Sequence, residues 1–286
     1  PIRFDTRYFL HRVQSEQEDE ILDGEIIGLA WFRPAEARRQ WHLGQIKVST
    51  PVAFALQQLA GKPYPHVMPF LRKGTERAPG EHSRFEIRRG ITIIPLVTRT
   101  LLPATHTNCI VIGERDLYVI DPGAEDPAEQ EHLRIQLDNM VALGGEVRAV
   151  VLTHSHRDHV DGVAAVRERY DCPVWAHPAT GAQVKFDIDR EIHEGDIIES
   201  AGDPGWHMEA YHTPGHDPGH LCFLEESTGV LIAGDMVANP GRIVVAHAFG
   251  GNMSDFMGNL ARLAQLPAKI IIPSHGKVSG HPPQVL

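Results

Sequence analysis

Three histidines and one aspartate within six positions are the side chains of this sequence best suited to chemistry: His154, His156, Asp158 and His159. They follow the short apolar run of residues 150–152, which predicts a buried β-strand. Because side chains alternate between the two faces of a strand, we expect His154 and His156 to point the same way where the strand ends. Imidazole nitrogens and a carboxylate that converge on one point suit a borderline divalent metal ion. The segment therefore predicts a metal site.

Three later positions have the same form, with a metal-ligand residue type directly after an apolar strand or a tight turn. His216 follows a Pro-Gly turn, Asp235 follows the apolar run 231–233, and His275 follows the run 270–272. Any one of them alone is typical of an ordinary loop residue. Taken together and in this order, they predict further ligands for the same site.

The elements that would position these side chains alternate between strands and helices over the larger, second part of the chain. Strands are predicted at 91–97, 108–113, 116–120, 150–152, 174–176, 207–212, 220–224, 230–233 and 269–272, and helices at 127–143 and 254–266. A further helix is expected to begin after Asp161, a residue type favoured at the N-cap. Strand pairs followed by strands that alternate with helices indicate a layered fold with the helices outside.

The first 84 residues have a different pattern. Strands are predicted at 3–10 and 24–32 and helices at 34–40 and 50–60, which together make a small α/β piece. Residues 61–84 are rich in proline, glycine and charge, a composition typical of a linker. We therefore expect an N-terminal appendage with its linker over residues 1–84 and a catalytic domain over residues 85–286.

Composition limits the partners and the location. The formal net charge is −10 at pH 7, which disfavours extensive nucleic-acid binding and leaves a small-molecule or nucleotide-like substrate. No apolar run reaches the ~18 residues of a membrane span, and no signal-peptide pattern opens the sequence. The three cysteines (Cys109, Cys172 and Cys222) are far apart, which favours buried free thiols and a cytoplasmic location.

The motifs "THSHRDH", "TPGH", "GD" and "PSHG", in this order, resemble those of the metallo-β-lactamase superfamily of binuclear metallohydrolases over residues 86–280. The resemblance implies an α+β fold, a four-layer αββα sandwich with its site on one edge. It implies one metal ion bound by His154, His156 and His216, a second bound by Asp158, His159 and His275, and Asp235 as a bridge between them. It also matches Asp121, in "DPG", to an acid that orients a ligand histidine in that family.

The ligand set agrees with hydrolytic chemistry. Two cations about 3.5–4 Å apart lower the pKa of a shared water toward ~7, so metal-bound hydroxide can attack an ester-like bond, namely a phosphodiester, thioester or lactone. Asp158 and Asp235 are the candidate catalytic residues, because either carboxylate can move a proton. Since no sulfur ligand is present, two Zn²⁺ ions per chain are favoured, with Mn²⁺ and Fe²⁺ as alternatives. The sequence predicts a metal-dependent hydrolase.

Finer resemblances concern both parts of the chain. Within the superfamily, "THTNCIVIG", "HRDHVDG" and "FGGNMSDFMGNLARL" are most similar to β-lactamase-like endoribonucleases and to glyoxalase II. The segments "RFDTRYFL", "DGEIIGLAWFRPAEA" and "TPVAFALQQLAG" resemble the C-terminal half of a Nudix hydrolase domain. Since the Nudix box is absent from this sequence, no catalytic residue is carried over. We expect this segment to pack as an appendage or to support a homodimer.

Two other functions stay open from the sequence. One is a mono-iron enzyme similar to the persulfide dioxygenases, with iron bound by His154, His216 and a carboxylate. The other is a non-catalytic binding protein that uses the Nudix-like segment as its interaction surface. The presence of both His156 and His275 favours two metal ions over one.

Overall fold

Two β-sheets form the centre of the structure, and helices lie on their outer faces. The computed structural model describes residues 30–42, 45–61, 66, 68, 84–202, 205–280 and 282. The chain divides into two units, Pro1–Arg33 and Pro34–Leu286. The strand predicted at residues 3–10 and most of that predicted at 24–32 lie outside the described residues, and residues 30–33 belong to no helix or strand.

The described elements all belong to the second unit. The helices are α1 (Pro34–His42), α2 (Thr50–Gly61), α3 (Pro127–Val141), α4 (Arg157–Val160), α5 (Val163–Tyr170), α6 (Pro178–Gly181) and α7 (Met253–Leu263), with a 3₁₀ turn at His247–Phe249. The strands are β1 (Phe85–Arg88), β2 (Ile91–Val97), β3 (His106–Ile112), β4 (Asp116–Ile120), β5 (Glu146–Val151), β6 (Val174–Ala176), β7 (Arg190–Glu191), β8 (Ile197–Ser200), β9 (Trp206–His212), β10 (Leu221–Glu225), β11 (Val230–Asn239) and β12 (Ile270–Gly276).

The two sheets combine antiparallel hairpins with parallel crossovers. The first has the order β1-β2-β3-β4-β5-β6-β7 and the second the order β12-β11-β10-β9-β8. Strands β1 to β4 pair antiparallel, and β4 to β7 pair parallel. In the second sheet only β11 and β12 pair parallel, and helix α7 lies between them in sequence. Parallel strands place their carboxyl ends at one edge, where ligand sites of such sheets are found.

Buried apolar side chains fill three spaces between the layers. One cluster draws on both sheets and includes Ile110, Ile120, Trp206, Phe223 and Ile272. A second cluster packs α3 and α5 on the outer face of the first sheet, and a third packs α7 on the second sheet. A sheet must bury its apolar face against another element, and here both sheets bury both faces. The resulting αββα order of layers confirms the predicted fold class.

Helix α1 is joined to the first sheet by a buried charge. Arg38, which is only 2% exposed, donates to Glu86 of β1 at 3.0 Å and also to Glu114, next to β4. A buried guanidinium needs such partners, because an unpaired charge in the interior is costly. These contacts link helix α1 to the first sheet, and the domain boundary expected near residue 84 stays a prediction.

Most predicted strands and helices are present with shifted ends, and one local prediction is wrong. Asp161 does not begin a helix; it follows the last residue of α4 and pairs with Arg157, while Gly162 precedes α5. The sequence pattern also missed β1, β7 and β8, which are two to four residues long. All three cysteines are buried and free, as predicted. Every helix in the described part of the chain is too short or too polar to span a membrane.

Candidate metal centre

The seven predicted ligands come from four places that the fold brings to one point. The chain leaves β5 at Val151, and His156 precedes the single turn of α4, which carries Asp158 and His159. His216 lies in the turn between β9 and β10, whereas Asp235 and His275 lie on the neighbouring strands β11 and β12. The parallel pairing of these two strands explains why residues 40 positions apart in sequence reach the same edge.

Three imidazoles and one carboxylate oxygen form the first cluster. His156 Nδ1 lies 3.0 Å from His154 Nε2 and 2.9 Å from His216 Nε2. Asp235 Oδ2 lies 3.4 Å from His216 Nε2. Nitrogen ligands held about 2.0–2.1 Å from a tetrahedral Zn²⁺ are about 3.3 Å apart, close to these separations. The four atoms therefore have the spacing of a common coordination sphere.

The second cluster uses the other oxygen of the same carboxylate. His275 Nε2 lies 3.4 Å from Asp235 Oδ1 and 3.4 Å from Asp158 Oδ2. His159 Nε2 lies 3.7 Å from Asp235 Oδ1 and 3.9 Å from Asp158 Oδ1. Asp235 thus has one oxygen facing each cluster, which is the arrangement expected of a bridging ligand.

Two atoms of this centre are buried without a hydrogen-bond partner, His159 Nε2 and Asp235 Oδ1. Buried polar atoms are almost always paired, so orphans of this kind need an explanation. A cation within the second cluster would satisfy both of them, and the oxygen and nitrogen donor set suits Zn²⁺, Mn²⁺ or Fe²⁺. The residues fit a pair of divalent ions, and their binding of metal stays a prediction.

Hydrogen bonds on the far side of three of the rings fix which nitrogen faces the centre. The Nδ1 atom of His216 donates to the Val244 carbonyl at 2.7 Å, and that of His275 donates to the His106 carbonyl at 3.0 Å. His154 Nδ1 lies 3.0 Å from the Thr153 hydroxyl. When one of these three rings is neutral, its single proton lies on Nδ1, which leaves the Nε2 lone pair for a metal ion.

The carboxylate of Asp121 holds the ring of His159 in the same way, through a hydrogen bond to Nδ1. Its Oδ2 accepts from His159 Nδ1 at 2.8 Å and from the Thr153 hydroxyl at 2.6 Å, while its Oδ1 accepts from the Thr153 N–H at 2.8 Å. Asp121 is 1% exposed and has a left-handed φ of 51°, which aspartate tolerates better than most residues. The carboxylate of Asp121 therefore orients the ring of His159, and the role of His159 as a metal ligand stays a prediction.

Ionisation in the metal-free protein is consistent with cation binding. Burial, reinforced by neighbouring histidines, lowers the pKa of His154 well below its usual value, so this ring stays neutral. Burial opposes charge at His275 too, yet its contacts with Asp158 and Asp235 raise its pKa to about 11. Against burial, the contact with His275 lowers the pKa of Asp158 to about 2. A proton on His275 thus lies between two carboxylates, where a metal ion would replace it.

A cavity of about 290 Å³ opens over the centre. His156, Asp158, His216, Asp235 and His275 form its floor, and its walls include Arg99, Leu101, Arg157, Arg242, Val244 and Phe249. The sequence pattern missed the three arginines as cavity residues, because Arg99 and Arg242 lie on irregular segments and Arg157 begins the single turn of α4. It also missed Thr153, Val244 and His106 as hydrogen-bond partners, because two of these three act through the backbone carbonyl.

Comparison with known proteins finds similarity over the part of the chain that carries this centre. A family profile described as the metallo-beta-lactamase superfamily matches residues 102–275. A protein from Aquifex aeolicus (strain VF5) is 31% identical over 185 residues, which are 58% of this chain and 82% of that protein. A hydroxyacylglutathione hydrolase from Aeromonas hydrophila is 30% identical over 183 residues, which are 62% of this chain and 63% of the hydrolase. The chain therefore spans less than two thirds of that hydrolase.

Solved structures give the same picture of the fold. A metallo-beta-lactamase family protein from Thermus thermophilus superposes with a TM-score of 0.57 at 22% identity, over 70% of this chain and 77% of the other. The structure of TTHA1623 in a di-iron-bound form has a TM-score of 0.50 and 26% identity, over 64% of this chain and 93% of that chain.

Proposed function

The chain belongs to the metallo-beta-lactamase superfamily, and on this premise we propose that it is a hydrolase that holds two metal ions and cleaves an ester-like bond. One observation carries the proposal: the two oxygens of Asp235 face two separate groups of ligand atoms, at 3.4 Å from His216 Nε2 and 3.4 Å from His275 Nε2. A single-ion site would leave one of these groups without a role.

His154, His156 and His216 would hold one ion, Asp158, His159 and His275 the other, and Asp235 both. A pair of bound divalent ions supplies Lewis acidity, which yields hydroxide from water near neutral pH and stabilises negative charge on the substrate oxygen. Asp158 lines the cavity, so its carboxylate is placed to receive the proton that the attacking water loses. Asp121 and the backbone carbonyls behind the rings keep the ligands in one tautomer, which avoids reorganisation during the reaction.

Two Zn²⁺ ions are the proposed cofactors, with Mn²⁺ and Fe²⁺ as alternatives. The centre offers imidazole nitrogen and carboxylate oxygen but no thiolate, and such a set does not by itself select one of these metals. The di-iron form of TTHA1623, at 26% identity, supports iron as a candidate. Metal analysis of the purified protein decides among them.

The cavity favours an anionic small-molecule substrate with an apolar part. Its walls carry three arginines, and its carboxylates are Asp158 and Asp235, both assigned to the metal ions. Glu125 pairs with both Arg99 and Arg157, whereas no carboxylate lies within 4 Å of the Arg242 guanidinium in the described part of the chain. In a protein of net charge −10, this local positive charge attracts an anion. Together with the hydroxyacylglutathione hydrolase relative, it favours a thioester over a neutral lactone.

The test is a hydrolysis panel with metal-loaded protein, comprising a hydroxyacylglutathione thioester, bis-p-nitrophenyl phosphate and a neutral lactone. We expect the thioester to be cleaved fastest. Asp235→Ala should abolish turnover, while Glu168→Ala, which removes an exposed carboxylate from α5, should leave it unchanged. Arg242→Ala should raise KM for the thioester without changing the lactone, and Arg115→Ala provides the matched arginine control. Equal activity of Asp235→Ala and wild type would refute the proposal.

The two alternative functions make different demands. A mono-iron persulfide dioxygenase would use three ligands and would consume oxygen with glutathione persulfide, which an oxygen electrode detects. Three ligands would leave four of the seven predicted ligand side chains without a role, so we favour the hydrolase. A non-catalytic binding protein would turn over no substrate of the panel in its metal-loaded form. The cytoplasmic location, the Nudix-like segment and a homodimer through it stay predictions.

A further inference from the structure

His220 is a buried histidine that is not a ligand in any of the schemes above. It lies directly before β10 and is fully buried, with an exposed fraction of 0%. Its Nε2 accepts the backbone N–H of Asp235 at 2.9 Å, and its Nδ1 lies 2.8 Å from the Thr213 hydroxyl. Since Nε2 is the acceptor, the ring proton is on Nδ1 and is donated to Thr213. The ring is therefore held in one tautomer from both sides.

The hydrogen bonds continue from Thr213 and return to β11, the strand that carries Asp235. Thr213 Oγ1 lies 3.4 Å from Cys222 Sγ, whose S–H donates to the Ala233 carbonyl at 3.3 Å. Asp235 and Ala233 flank Gly234, so the chain of hydrogen bonds holds β11 on both sides of that glycine. All members of this chain are buried. Buried polar groups that are fully paired rigidify the segment that they join.

The contact between the His220 ring and the backbone N–H of Asp235 also requires a glycine at position 234. Its φ is +54°, a left-handed conformation that side chains disfavour, and a Cβ built there would lie 2.4 Å from His220 Nε2. The strand thus approaches the imidazole so closely that only glycine fits. This close approach brings the N–H of Asp235 to the ring and turns its carboxylate toward the two ligand clusters.

We propose that His220 is a positioning residue, which sets the bridging carboxylate of Asp235 through the backbone N–H of that residue. The inference rests on the proposed function in one respect, the assignment of Asp235 as a ligand of both metal ions. A fixed N–H fixes the Cα of Asp235 and the direction of its side chain. Partners behind metal ligands typically change metal affinity by about 10–100-fold when they are removed.

The test compares two replacements of His220. Gln places a carbonyl oxygen near the position of Nε2 and keeps an acceptor for the Asp235 N–H, whereas Leu removes it. We expect His220→Leu to bind Zn²⁺ about 10–100-fold more weakly than wild type in chelator competition. His220→Gln should recover most of that loss. His207→Gln, an exposed histidine on β9, is the matched control and should bind as wild type does.

Thermal unfolding of the metal-free proteins separates positioning from stability. Equal Zn²⁺ affinity in folded His220→Leu and wild type would overturn the inference, whatever the change in stability. If His220→Leu does not fold, His220→Asn replaces it, because its shorter side chain does not reach the Nε2 position. Equal affinity of the Asn and Gln variants would then overturn the inference. Wild-type protein that binds two ions but cleaves no ester would contradict the proposed function and leave the inference about His220 standing.

Discussion

Replacing Asp121 by asparagine tests whether the centre depends on the proton arrangement behind its ligands. Asp121 accepts three hydrogen bonds, two at Oδ2 and one at Oδ1. Asparagine has the same shape and tolerates the left-handed φ of 51°, so the backbone is not perturbed. One of its two polar groups, however, is a donor. The amide NH₂ group of the asparagine must face either the Thr153 N–H or the ring of His159.

One orientation of the amide lowers the stability of the protein, and the other lowers its affinity for metal. If the amide nitrogen faces the Thr153 N–H, two buried donors oppose each other, and the free energy of unfolding falls by about 1–3 kcal/mol. If it faces His159, that ring must accept at Nδ1 and carry its proton on Nε2, where a metal ion would bind. We then expect metal affinity to fall about 10–100-fold, equivalent to about 1.4–2.8 kcal/mol.

The assay is chelator competition with Zn²⁺, combined with urea unfolding of the metal-free protein. Asp171→Asn is the matched control, since it makes the same replacement at an exposed aspartate that also has a left-handed φ, 48°, and is not one of the predicted ligands. Its metal affinity should stay closer to that of wild type than does the affinity of Asp121→Asn. Asp121→Asn protein with both wild-type affinity and wild-type stability would refute the account of the Asp121 contacts.

Two further predictions concern groups away from the centre. Arg38→Ala leaves Glu86 buried without its guanidinium, and the free energy of unfolding should drop by about 3 kcal/mol in urea titrations; an unchanged midpoint would contradict the buried ion pair. Burial, and then the stacked ring of His212, lower the pKa of His177 to about 4. The unfolded chain therefore binds an extra proton between about pH 4 and 6.5, so stability should rise with pH there. His177→Asn keeps an acceptor for the Ala179 N–H and should flatten this rise, whereas an unchanged slope would show that other groups cause it.

Much of the fold could be predicted from the sequence because its strands are apolar and its ligands lie at strand ends. The run that ends before His154 is a buried strand, and β4 has the predicted bounds, Asp116–Ile120. Side chains predicted as ligands also lie close together in the structure. These predictions succeed because alternation, turn residues and motif order are local properties of the chain.

The contacts that the sequence did not reveal depend on tertiary structure. Asp161 has the residue type of an N-cap, but α4 forms before it and its side chain pairs with Arg157 instead. Arg242 lies in a segment without periodicity, so nothing local marks it as part of the cavity wall. The carbonyl of Val244 acts on His216 through a backbone atom, which every residue type possesses. Only the folded chain shows these partners.

Anomalous diffraction from crystals of the metal-loaded protein tests the central claim most directly. The account predicts two peaks about 3.5–4 Å apart, with Asp235 between them, His154, His156 and His216 around one, and Asp158, His159 and His275 around the other. A single peak, or two peaks that do not share Asp235, would contradict it.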